Sequence, residues 1–74
     1  MMAPENEMSE RLERAGPAID AAIREFAAIE QSYRNPHGAA ARRFSKSNRQ
    51  AMAARYAQWG RDLAALRALT NEAA

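Results

Sequence analysis

Cysteine is absent from this chain of 74 residues, and histidine occurs once. No disulfide can staple the fold, and a structural zinc site, which needs several Cys or His ligands, has only His37 to draw on. Long apolar runs are missing too. None approaches the ~18 residues that a membrane-spanning helix requires, and Glu5 and Glu7 stand near the amino terminus where a secretory signal carries Lys or Arg. Neither a membrane partner nor export by that route is expected. Catalytic groupings are equally scarce: no Ser, Asp or Glu stands at a telling spacing from His37, and there is no Gly-rich phosphate loop, carboxylate pair or metal-ligand cluster. The chain reads as a non-enzyme without a cofactor, and His37 as a surface residue of a turn.

Two ladders of apolar residues fill the space that these absences leave. Leu12, Ile19, Phe26 and Tyr33 lie one heptad apart, with Ile23 and Ile29 beside them. Met52, Tyr56, Trp59, Leu63, Leu66 and Thr70 follow in alternating steps of four and three. Such steps return to one face of an α-helix. The expected fold is mainly α: two antiparallel helices closed face to face, with Leu12, Ile19, Ile23, Phe26, Ile29, Met52, Tyr56, Trp59, Leu63 and Leu66 as a thin core. The length allows one domain, residues 1–74, and a core of this size supplies little beyond ~3–5 kcal/mol. With disulfides and metals excluded, oligomerisation or docking on a partner is the remaining supplement.

Local signals place the elements. Residues 1–8 form a polar lead expected to be flexible, and Ser9 is a plausible first cap. Gly16-Pro17 interrupts the first ladder, because proline inside a helix removes a donor and clashes with the preceding turn. A break there, with a new helix starting at Pro17, is favoured over one kinked helix. Asn35, Pro36, His37 and Gly38 form a turn in which glycine can take positive φ. Residues 32–46 are then either a loop or a small β-hairpin pairing Tyr33 with Phe44. Ser47 and Gln50 have capping-box spacing, with Ser45 and Asn48 as an earlier alternative start. The second helix is expected to run to about Leu69, leaving residues 70–74 as a flexible end. Gly60 either marks close approach of another backbone or ring, the favoured reading, or is a tolerated cost to helix propensity.

The net charge is +2, unevenly spread: residues 1–33 hold seven acids and three bases, residues 34–74 eight bases and two acids. Arg34, Arg42, Arg43, Lys46, Arg49 and Arg55 form a basic run with Tyr33 and Phe44 interleaved. Such a run can track a phosphate backbone, pair with carboxylates of a neighbouring copy's acidic first helix, or remain a solvated face.

The order Gln31-Ser32-Tyr33, a turn, Arg43-Phe44-Ser45, then Asn48 and a helix with Met52, Tyr56, Trp59, Leu63 and Leu66 resembles the small gpW-like head-to-tail joining proteins of tailed phages. The resemblance covers roughly Ile19 to Leu69. It implies a helix, a short β-hairpin and a second helix (α-β-β-α). In function it implies a structural connector subunit in the virion neck, assembled in the host cytoplasm as a twelve-membered ring beneath the portal protein. Such a ring retains packaged DNA, with non-specific DNA contact in its lumen, and docks the next tail-side component. From the residues alone, a small basic helical nucleic-acid-binding protein is the alternative.

Overall fold

The computed structural model describes residues 4–73, which form three helices: α1 (Pro4–Arg34), α2 (Ala39–Arg43) and α3 (Lys46–Ala73). The long helices α1 and α3 pack against each other, and five-residue α2 closes the connection at one end. The fold is mainly α.

No strand is present among the described residues, which corrects the hairpin expected over residues 32–46. The segment uses its backbone donors locally. Asn35 N donates to Gln31 O at 2.9 Å, Gly38 N to Asn35 O at 3.2 Å and Ala41 N to Gly38 O at 3.0 Å, while the Asn35 side chain accepts from His37 N at 3.0 Å. Ala39, Ala40 and Ala41 favour helix, and no β-branched residue stands between Tyr33 and Ser45 to favour strand. The rings of Tyr33 and Phe44 do meet, with centroids 5.8 Å apart, but across a helical turn. Gly38 keeps negative φ.

The boundaries also differ from expectation. Helix α1 starts at Pro4, so Ser9 lies inside it, and it continues through Gly16-Pro17 without a break. Pro17 faces solvent, where water can take the Glu13 carbonyl that the proline leaves without a donor. Helix α3 is capped by Ser45, whose Oγ accepts from Asn48 N at 3.2 Å, and not by Ser47. It runs beyond Leu69 to Ala73, because Thr70 turns inward at 5% exposure and donates its hydroxyl to Leu66 O at 2.8 Å. Residues 4–8 and 70–73 are thus helical; of the ends expected to be flexible, residues 1–3 and 74 lie outside the described residues.

Two seams with steps of three and four meet between the helices. In α1 the inward positions are Leu12, Gly16, Ile19, Ile23, Phe26, Glu30 and Tyr33; in α3 they are Arg49, Ala53, Tyr56, Gly60, Leu63, Arg67 and Thr70. The α1 seam contains the first apolar ladder. On α3 the seam is turned away from the second ladder, sharing only Tyr56, Leu63 and Thr70 with it. Ala53 is the only fully buried apolar residue described, whereas Trp59 and Leu66, expected in the core, are 42% and 49% exposed. Met52 is half-buried. A small residue at the seam accounts for part of the turn: Ala53 is fully buried, where a bulkier side chain would hold the helices apart.

Arg67 latches the two helices. Its Nε donates to Asp20 Oδ1 at 3.1 Å and its Nη1 to Asn71 Oδ1 at 2.6 Å. The guanidinium lies over Gly16, where an added Cβ would come within 2.8 Å of it. At Gly60 such an atom would meet nothing within 4 Å, which corrects the close approach expected there. The two glycines therefore respond differently to alanine, which raises helix propensity by ~1 kcal/mol at either position. Gly60→Ala should stabilise the chain by about 1 kcal/mol in thermal unfolding. Gly16→Ala should gain little, because the new methyl displaces the latch. Equal stabilisation by both would show that Arg67 is not seated on Gly16.

Candidate functional site

The basic run is not one continuous patch. Arg34 from the end of α1 and Lys46 and Arg49 from the start of α3 line an open cleft of about 450 Å³ with Tyr33, Pro36 and Gln50. The turn brings these residues together by folding α3 back beside α1; the three cations and Tyr33 were expected from the sequence, Pro36 and Gln50 were not. Arg43 instead lines a groove of about 320 Å³ with Ile29, Tyr33 and Phe44, and Arg55 one of about 270 Å³ with Phe44 and Met52. Arg42 is exposed and joins neither the cleft nor these grooves.

Within the cleft the cations have unequal attachments. Arg34 Nε donates to Glu30 Oε2 at 2.8 Å, an i,i+4 pair with the acid on the amino-terminal side, the favourable order. Arg49 Nη1 reaches the Tyr33 carbonyl at 3.5 Å, a long contact to one of the last carbonyls of α1. Arg49 Nε is buried and has no acceptor among the described residues. Lys46 is exposed and has no ion pair among them.

The acidic helix is less available to a neighbour than its composition suggests. Glu7 pairs with Arg11 at 3.9 Å, Glu10 with Arg14 at 3.6 Å, Glu30 with Arg34 and Asp20 with Arg67. The three i,i+4 pairs contribute little stability, but all four screen the charge that a basic partner would meet. Glu13 and Glu25 have no ion pair among the described residues.

A second surface is apolar. Trp59, Leu66 and Leu69 lie within one arc of α3 beside the seam, with Leu69 62% exposed. Leu69 falls outside the second ladder and was missed for that reason. Trp59 remains anchored at its inner edge, its centroid 5.0 Å from Tyr56 and 6.3 Å from Phe26 in edge-on arrangements. Tyr56 also meets Phe26 at 5.4 Å and Tyr33 at 5.9 Å, so all five aromatic residues join in one chain that ends at Phe44. On the other side of the seam from this flank, Ile23, Ala27, Tyr56, Ala57, Gly60 and Ala64 line a shallow groove of about 360 Å³ with Glu30 and Arg61 at its edge.

No grouping of His, Cys, Asp or Glu among the described residues could hold a metal ion. No described helix is long and apolar enough to cross a membrane. No family model matches the chain, and neither a curated protein nor a solved structure is detectably similar to it.

Proposed function

We propose that the chain is a structural subunit that completes its core by packing against copies of itself, as a connector subunit in the neck of a tailed phage. One observation carries the first half of this reading. The two-helix rod has a radius of gyration of 16.8 Å, against ~11 Å for a compact chain of its length; among the described residues a single apolar one is fully buried, while Trp59, Leu66 and Leu69 are exposed. Among the described residues no third long element crosses the seam of the two helices, and the apolar area left open is of the kind that a second copy can cover.

The phage reading is supported by the order of Tyr33, Arg43, Phe44, Asn48 and the residues of α3, and by the small size. The hairpin belonging to that likeness is absent, so the likeness rests on these residues alone. The reading assigns no chemistry to the chain. Gold-labelled antibody against the chain should mark the head-tail vertex of particles from the producing culture. Chain that stays in the soluble pool while particles are unlabelled would contradict the connector role without touching self-association.

The basic cleft favours nucleic-acid binding as a second reading. Salt separates the two: a duplex binder loses affinity steeply as salt rises, whereas an assembly subunit should bind duplex weakly at physiological salt.

A further inference from the structure

We propose that the cleft between the end of α1 and the start of α3 is a binding site for a phosphate oxyanion, with Arg34, Lys46 and Arg49 as its ligands. The site does not depend on whether the chain assembles.

The argument starts from charge. Arg34, Lys46 and Arg49 bring three positive charges to one cleft, and Glu30, paired with Arg34, returns one. No acid lines the cleft, and none stands in the first turn of α3. The surplus of about two charges matches a phosphate dianion or two successive phosphodiesters better than a single carboxylate.

Folding does not explain all of these cations. Arg34 and Arg49 lie at the carboxyl end of α1, where a helix welcomes positive charge, and Arg49 contacts the Tyr33 carbonyl there. Lys46 has no such role. It is the first residue of α3, where the exposed N–H groups and the helix dipole disfavour a cation. A residue that works against its own helix while lining a cleft with two arginines is placed for a ligand.

Arg49 is also under-used. Its guanidinium carries five donor hydrogens, yet its contact to protein is the single long one to Tyr33, and Nε is buried without an acceptor. Such a donor costs stability until an acceptor arrives, so a bound anion that draws the guanidinium over would satisfy it. Tyr33 lines the cleft as well, but its ring already packs against Tyr56 and Phe44. Without a free aromatic face for base stacking, the site recognises phosphate and not a base.

Lys46→Gln gives the sharpest test, because the two roles of the residue have opposite signs. The full chain is titrated with orthophosphate at constant ionic strength while the Arg49 Nε–H and the backbone amides of Ser47 and Asn48 are followed by NMR. Acetate is the carboxylate control. The expected result is a saturable shift with phosphate only, about tenfold weaker in Lys46→Gln and unchanged in Arg42→Gln. Lys46→Gln should also unfold at a slightly higher temperature than the wild type.

A short oligothymidylate separates the sources. Competition for the same signals, with a salt slope that falls by about 1 in Lys46→Gln, identifies a polymer backbone; no competition identifies free phosphate or a phosphomonoester. An equal shift with acetate would assign the cleft to a carboxylate, such as one from a second copy, and overturn the proposal. So would a linear shift spread over all arginines, or full binding by Lys46→Gln.

Discussion

Tyr56→Ala should bring the chain to the edge of unfolding at room temperature, and Trp59→Ala should not. Tyr56 occupies the centre of the α3 seam and touches three other rings, those of Phe26, Tyr33 and Trp59. Truncating a large aromatic at such a site costs about 3 kcal/mol, comparable with the ~3–5 kcal/mol that a core of this size supplies. Trp59 keeps 42% of its surface in water. Its loss removes less apolar burial, about 1–2 kcal/mol, and leaves the Phe26–Tyr56 contact in place. Urea unfolding followed by circular dichroism in dilute solution measures both. A larger loss for Trp59→Ala than for Tyr56→Ala would mean that the apolar ladder, and not the small-large seam, faces α1.

The second large effect falls on association. Leu66 and Leu69 are 49% and 62% exposed, so changing both to Glu should alter the helicity of the monomer very little. In an interface the same change buries two unpaired charges where apolar anchors stood. Loss of one anchor commonly costs more than ~1 kcal/mol, and an unpaired buried charge adds to that. Self-association should therefore weaken at least ~100-fold, which sedimentation equilibrium reads directly. Identical masses for variant and wild type across the concentration range would remove this flank from the interface.

Much of the architecture could be read from spacing. The heptad ladder of Leu12, Ile19, Phe26 and Tyr33 lies in the α1 seam because these large apolar residues coincide with the inward positions. On α3 the same logic selects the wrong arc. Counting only apolar side chains passes over Arg49, Gly60 and Arg67, yet their spacing with Ala53, Tyr56, Leu63 and Thr70 is equally regular. Burial of Ala53 and the latch from Arg67 to Asp20 decide the rotation of that seam.

The Asp20–Arg67 contact joins residues 47 apart in sequence, and only the rotation of both helices brings them together. Pro17 misleads for a related reason. Its cost is local, whereas the seating of Arg67 over the neighbouring Gly16 is not. The turn misleads in the other direction: Tyr33 and Phe44 meet as a hairpin would have them meet, but alanine propensity and the Asn35 side chain make the connection helical. Among the cations, sequence order alone could not separate Lys46 and Arg49, which share the cleft with Arg34, from Arg42, which does not.

The chain has one tryptophan, and it lies on the flank proposed to be covered when copies assemble. Acrylamide quenching of its fluorescence over a wide range of protein concentration therefore tests the central claim most directly. An exposed flank predicts ready quenching and red-shifted emission in dilute solution, giving way to protection and a blue shift as the sedimenting mass rises. Protected, blue-shifted emission at the lowest concentration, unchanged up to the highest, would place Trp59 inside the monomer and contradict the account.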